Sequence, residues 1–335
     1  MTSPQLIGIT MGDPAGIGPE IIVKTFAAPD FHRANHAVVI GDVGQLRRAA
    51  SHLNADVQVV EVTADQAIPR QDKVLPVIPV TDLPADLPLG QVSAQAGDAA
   101  FQYVRKAIEL AQAGKIAAVA TAPLNKEAMH LGGHPYPGHT EILADLTGTQ
   151  DYAMMLVADH LRVIHISTHV SMTQAIARAT TQRELTVIRL AHQTLRRMGI
   201  EHPRVAVAGL NPHAGENGLF GQEEIEQIKP AVDLARQEGL DASGPWPGDT
   251  VFMQARQGKY DIVVAQYHDQ GHIPIKLLGF DTGVNVTVGL PFFRTSVDHG
   301  TAFDIAGTGR AEETSMRAAI DLATSLLPQV QTSTD

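Results

Sequence analysis

The sequence predicts an α/β fold built on parallel strands, and two observations carry the prediction. Short apolar runs recur at residues 5–10 (QLIGIT), 37–41 (AVVIG), 116–121 (IAAVAT), 205–210 (VAVAGL) and 261–266 (DIVVAQ), and runs of that length without polar alternation fit strands buried on both faces. Between them lie stretches of helical periodicity, so the order is strand, helix, strand. A chain of 335 residues has room for two domains. No repeat of fixed period is visible.

The elements follow in order. After the first strand, MGDPAGIGPE (11–20) reads as a glycine-proline turn before a helix beginning near Pro19, a residue favoured at a first helical position. Its glycines at 12, 16 and 18 do not match the spacing G-x-G-x-x-G, so a Rossmann fingerprint is unsupported. A helix is expected over residues 43–53, and prolines at 69, 76, 79, 84 and 88 mark residues 68–89 as a surface excursion. The next helix, 94–113, puts Phe101, Val104, Ile108 and Ala111 on one stripe and stops at Gly114. GGHPYPGHTE (132–141) reads as a rigid loop in which His139 could simply fill the turn and Thr140 could cap the following helix. A strand at 164–169 (IHISTH) and a helix at 183–198, with Ile188, Leu195 and Met198 inward, complete the pattern, and a polar tail begins near Thr332.

Composition narrows the function. A net charge of −11, no block of Lys or Arg and 4% aromatic residues leave no platform for a nucleic acid. With 44% hydrophobic and 18% charged residues the chain is expected to be globular and soluble, and no apolar run approaches a membrane span. The start, MTSPQLIGIT, has no basic leader, so a cytoplasmic location is expected. The absence of cysteine excludes disulfides and thiolate chemistry, so any metal must be held by histidine or carboxylate.

Chemistry concentrates in residues 267–309 (YHDQGHIPIKLLGFDTGVNVTVGLPFFRTSVDHGTAFDIAGTG). A lone histidine after a strand commonly caps a loop, but three expected strand ends present one: His169, His213 and His268. Neutral imidazoles suit a divalent transition metal, and three protein ligands leave a coordination position open for substrate. Fifteen histidines in the chain also make chance groupings easy. Lys276 and Arg294 stand beside glycine-rich backbone, where a phosphate or carboxylate is expected.

In order and across nearly the whole chain, GDPAGIGPE, TAPLNK, GHTE, STH, GLNPHAGENG, YHDQG and GVNVTVGLPFFRTSVDHGTA strongly resemble the 4-hydroxythreonine-4-phosphate dehydrogenase family. The resemblance implies a divalent metal, zinc expected and magnesium, manganese or cobalt as alternatives, on the residues matching His169, His213 and His268. Two of these ligands would come from one subunit and one from its partner, hence a homodimer with shared active sites. It also implies substrate contacts at His139, Thr140, Lys276, Asn285 and Arg294. GDPAGIGPE and HGTAFDIAGTG further resemble the turn and adenosine loop of isopropylmalate and isocitrate dehydrogenases. That kinship implies their two-domain α/β/α fold with the active site in the cleft, residues 1–121 plus 274–335 forming the NAD-side domain and 122–273 the metal-binding, dimerising one. NAD would then lie along Gly12, His299, Gly300, Thr301 and Asp304.

The implied reaction is NAD-dependent, metal-dependent oxidation and decarboxylation of a small phosphorylated hydroxy acid, with Lys126 or Asp249 moving protons. TAPLNKEAMH, ENGLFG and YHDQGHIPIK, with His272 at a position often apolar in the vitamin B6 enzymes, look more like the branch acting on 4-phospho-D-threonate or 4-phospho-D-erythronate. The alternative is 4-phosphohydroxy-L-threonine oxidation in pyridoxal 5'-phosphate biosynthesis. A phosphate acyltransferase of related fold would not need the histidines, and a non-catalytic sugar-acid binding protein would not need the adenosine loop.

Overall fold

The computed structural model describes residues 6–279 and 283–327. Gln5 of the first expected strand, residues 280–282 of the long motif and the tail from 328 fall outside the described residues. The chain divides into two units, Met1–Gln150 with Leu290–Asp335, and Asp151–Gly289.

The first unit opens with β1 (Ile7–Thr10), α1 (Gly18–Ala27), α2 (Phe31–Ala34), β2 (Ala37–Gly41) and α3 (Val43–His52). The Asp42 side chain caps α3 by accepting from the Gln45 N–H at 2.9 Å. β3 (Gln58–Glu61) and β4 (Val74–Pro79) follow, and β4 corrects the expected surface excursion, since Val74 to Ile78 are buried. Proline removes a donor but accepts an extended backbone. The ladder runs through its neighbours instead: the Val62 N–H reaches the Val77 carbonyl at 2.8 Å and the Val80 N–H reaches that of Gly41 at 2.9 Å. α4 (Ala94–Gln112), β5 (Ala118–Thr121), α5 (Lys126–Leu131) and α6 (His139–Thr147) complete this stretch.

The second unit contains β6 (Ala153–Ala158), β7 (Leu161–His165), α7 (Met172–Arg178), α8 (Thr181–Arg197), β8 (Val205–Ala208), α9 (Lys229–Gln237), β9 (Ala242–Trp246), α10 (Gly248–Arg256), β10 (Ile262–Ala265), α11 (His268–Leu278) and β11 (Val284–Val288). A capping box of Ser171 and Gln174 starts α7, and the Thr180 hydroxyl accepts from the Arg183 N–H at the start of α8. The chain then supplies β12 (Phe293–Ser296) and α12 (Thr314–Leu326) to the first unit.

Within the first unit the strand order is β3-β4-β2-β1-β5-β12, and every pair is parallel. Within the second it is β11-β6-β7-β10-β8-β9, antiparallel through β11, β6 and β7 and parallel from β7 onward. The central strands are apolar throughout; Val205 to Ala208 and Ile262 to Ala265 are fully buried, as parallel strands covered on both faces require.

Both crossings between units fall later in the chain than the sequence suggested. α5 and α6 pack on α4, keeping residues 122–150 with the first unit. Pro274 does not begin the return, because it lies inside α11, which packs on β6 and β7. Among the described residues no helix is long and apolar enough to cross a membrane.

Candidate active site

In the first unit, two parallel strands bring a guanidinium to a hydroxyl. Arg294 on β12 is 3% exposed, and its Nη2 donates to the Thr121 hydroxyl, at the end of β5, over 2.7 Å. Burial pulls the guanidinium down from its usual range to about 9, opposed by the Glu141 carboxylate nearby, so Arg294 remains a cation near neutral pH. His139 opens α6, and its Nε2 is buried with no hydrogen-bond partner among the described residues. Burial first, and then the Arg294 charge, hold this imidazole well below its ordinary value, so the ring is neutral. A buried cation beside a neutral ring with an unengaged nitrogen suits an oxyanion.

The same helix end corrects the capping expectation. Gly138 is the N-cap of α6 and Thr140 lies inside its first turn, so the threonine hydroxyl is not the cap. Lys126 begins α5, whose Asn125 side chain accepts from the Ala128 N–H at 2.8 Å. A Cβ built on Gly138 would stand 3.9 Å from Lys126 Cε and 3.4 Å from Glu141 Oε2, which places the lysine chain over the end of α6 that carries His139.

Elsewhere in this unit, residues 299–309 are anchored to α1. The Ile17 N–H donates to the Thr301 carbonyl at 3.1 Å, the Gly307 N–H donates to the Glu20 carboxylate, and Lys24 Nζ donates to the Gly309 carbonyl at 2.8 Å. Thr301 is buried, whereas His299, Gly300 and Asp304 are exposed, a loop held from behind with its front open. Gly12 has φ +71°, and a Cβ there would meet the Pro123 carbonyl oxygen at 2.3 Å, so glycine here lets two backbone segments touch. Beside it Asp13 is buried, its carboxyl raised by burial to about 6.

The second unit holds the three expected metal ligands, not all at strand ends. β7 stops at His165, so His169 lies in the loop before α7, and β8 stops at Ala208, so His213 lies in the turn beyond it. His268 is the first residue of α11, just past β10. The rings of His169 and His268 stand 5.5 Å apart, centroid to centroid. Two imidazoles on one tetrahedral ion with Zn–N bonds of about 2.0–2.1 Å have centroids about 5 Å apart, so this pair fits a divalent metal. Asp269 Oδ1 engages His268 Nδ1 at 2.7 Å, the outer carboxylate that orients a ligating imidazole and leaves Nε2 free to bind. His213 does not complete the set: among the described residues no three His, Asp or Glu side chains gather as a metal site within one chain.

His213 instead lines a groove of about 690 Å³ with Asp249, Tyr267, Asp269 and Gln270, walled by Met253, Ile273 and Leu277. It opens a run of five residues in left-handed backbone, with φ of 54°, 51°, 79°, 44° and 55° from His213 to Asn217. Three of these, His213, Ala214 and Glu216, are neither glycine nor asparagine, and each costs about 1–2 kcal/mol in that conformation. The buried Glu224 carboxylate ties the entry to the turn, accepting from the Leu210 N–H at 2.8 Å and the Asn211 N–H at 2.7 Å. Lys276 is exposed on α11 and Asn285 half-buried on β11, its Oδ1 enclosed.

A family model described as "Pyridoxal phosphate biosynthetic protein PdxA" matches residues 33–323. The chain belongs to the PdxA family. It is 53% identical over 328 residues to D-threonate 4-phosphate dehydrogenase of Pectobacterium atrosepticum, covering 96% of this chain and 99% of that one. It is 52% identical over 322 residues to 4-hydroxythreonine-4-phosphate dehydrogenase of Beijerinckia indica, covering 96% and 94%. The crystal structure of 4-hydroxythreonine-4-phosphate dehydrogenase from Klebsiella pneumoniae superposes with a TM-score of 0.91 at 52% identity, covering 96% of this chain and 99% of that chain. The PdxA relatives are dehydrogenases, and this chain is an oxidoreductase of that kind.

Several neighbours of this PdxA chain's candidate residues escaped sequence reading. Thr121 and Glu141 sit within TAPLNK and GHTE, one as the last residue of a strand and the other on the first helical turn, and the periodicity of those elements explained both without chemistry. Asp269 follows His268 directly, and that adjacency was the available signal. Glu224 is separated in sequence from the turn it holds, so only folding reveals it.

Proposed function

We propose that the protein oxidises and decarboxylates a 4-phosphorylated 3-hydroxy four-carbon acid with NAD, 4-phospho-D-threonate or 4-phospho-D-erythronate giving dihydroxyacetone phosphate and carbon dioxide. The observation that carries the reading is the buried Arg294 guanidinium beside the neutral His139 ring. Burying a guanidinium is costly, and a phosphorylated carboxylic acid offers it anions. Arg294 and His139 bind and orient the substrate's anionic group, with Thr140, Lys276 and Asn285 as further contacts. Lys126 and Asp249 are proposed to move protons. When bound, a divalent ion on His169, His213 and His268 would supply Lewis acidity at the hydroxyl whose carbon is oxidised, and NAD along Gly12, His299, Gly300, Thr301 and Asp304 would supply the hydride acceptor.

The ligand set implies a homodimer. His169 and His268 pair in one chain while His213 lines a groove whose wall exposes Met253 at 55%, Ile273 at 57% and Leu277 at 81%. Apolar side chains clustered that way suit a protein interface, and a second copy seated there would bring a third imidazole to the pair.

The second reading is 4-phosphohydroxy-L-threonine oxidation, favoured by the names of the relatives from Beijerinckia indica and Klebsiella pneumoniae. The substrates differ at carbon 2, hydroxyl against ammonium, an exchange that a hydrogen-bonding site separates strongly. The test is the initial rate of NADH formation at 340 nm with added divalent metal. A threonate rate higher by orders of magnitude supports the proposal, a higher rate with the amino acid replaces it by the second reading, and no NADH from either overturns both.

A further inference from the structure

Four imidazoles stand in a column in the second unit. His165 at the end of β7 is 1% exposed, and its Nδ1 meets the Met154 carbonyl at 3.2 Å. Its ring centroid lies 4.8 Å from that of His272, itself 7% exposed on α11. His272 in turn stacks on His268, centroids 3.6 Å apart and planes 13° from parallel. His169 stands at the open end, 5.5 Å from His268.

We propose that His272 is a positioning residue that fixes the plane of the His268 ring for metal binding, through the face-to-face stack between them. This rests on the histidine metal site proposed above. A histidine at a helix start has two side-chain torsions to settle, and the hydrogen bond from His268 Nδ1 to Asp269 fixes its ring edge only. The Asp269 side chain is 74% exposed, so that hydrogen bond alone leaves the ring free to swing with the carboxylate. The stack closes the remaining freedom by covering one face.

His272 is itself held on two sides. Its Nδ1 donates to the His268 carbonyl at 2.9 Å, one turn back in α11, so the residue that aligns the His268 ring is tied to the His268 backbone. Behind it His165 forms a wall, neutral because burial, aided by the neighbouring imidazoles, pulls it to about 3. The helix approaches that wall only because residue 271 is glycine, since a Cβ there would stand 2.2 Å from His165 Nε2. The proposed ligand thus rests on a buried, packed ring, as a preorganised site requires.

The experiment measures metal binding without turnover. Zinc affinity is taken by competition with a chromophoric chelator, and the visible absorption of the cobalt(II)-loaded protein reports ligand geometry, for the full-length wild type, His272→Ala and His272→Phe. Thermal melts establish that each variant folds. His272→Ala is expected to weaken zinc binding by about 10- to 100-fold, the usual cost of losing an outer partner of a ligating histidine, and to alter the cobalt spectrum. His272→Phe keeps the ring face and is expected to restore most of both. Wild-type affinity and spectrum in His272→Ala would overturn the inference, as would a His272→Phe protein as weak as the alanine variant. If His272→Ala does not fold, His272→Leu, which fills the space without a ring, replaces it. A wild type that takes up no metal would instead remove the metal site itself, and this inference with it.

Discussion

Arg294 and Thr121 lie on neighbouring parallel strands, and the guanidinium Nη2 donates to the threonine hydroxyl across 2.7 Å. The hydroxyl holds one prong of the fork, so the rest of the guanidinium keeps a fixed aim. In Thr121→Val the shape is kept and the acceptor lost. Losing one hydrogen bond to a charged group costs about 1.5–3 kcal/mol, to be read from urea midpoints. A rise in KM larger than the fall in kcat is expected for the phosphorylated acid, because the loss is in binding. An unchanged KM would show that Thr121 does not aim Arg294.

Glu184, fully buried on α8, is raised by burial to about 8, with the Gln266 amide and the Arg183 charge opposing. Against its ordinary 4.5, the folded chain keeps a proton that the unfolded chain loses between those two values. Stability therefore falls as pH rises from about 4.5 to 8 and is level on either side, with a slope of at most about 1.4 kcal/mol per pH unit from this group. Glu184→Gln removes the ionisation and should flatten that part of the profile. Chemical denaturation at pH 5.5 and pH 8 compares the two proteins, and an equal slope in both would show that Glu184 is not the group responsible.

Glu224 accepts the backbone N–H groups of Leu210 and Asn211 ahead of the left-handed turn. Glu224→Ala strands two donors in a partly buried place, a loss of roughly 3 kcal/mol. Limited proteolysis is expected to cut within residues 213–220 much faster in the variant. Equal cutting rates would mean that the turn holds its shape without this carboxylate.

The sheet was legible where chemistry and periodicity agree. AVVIG at residues 37–41 is β2 to the residue, because a short apolar run between polar turns has little choice. β4 was hidden by its prolines, which argue against strands on average but not in one whose neighbours carry the ladder. His139 and Arg294 were legible as candidates through family motifs, and the reason they matter, shared burial, was not, since sequence spacing says nothing of depth. His169 was expected to end a strand and His213 to follow one closely, and both lie farther along their loops because β7 and β8 stop earlier than their apolar runs suggest. Pro274 read as a boundary and instead lies inside α11, whose packing on β6 and β7 outweighs the missing hydrogen bond.

The left-handed run from His213 to Asn217 inverts the usual ranking of residues along one short stretch of chain. Alanine, the best residue for an ordinary helix, is strained at 214, while glycine or asparagine would sit there at ease. Branched residues such as valine or isoleucine would be rejected at all five positions, however well they suit a buried turn elsewhere. A library randomised across residues 213–217 and selected only for folding should therefore drift toward glycine and asparagine. Whatever keeps His213 and Glu216 in place acts against the preference of the backbone itself.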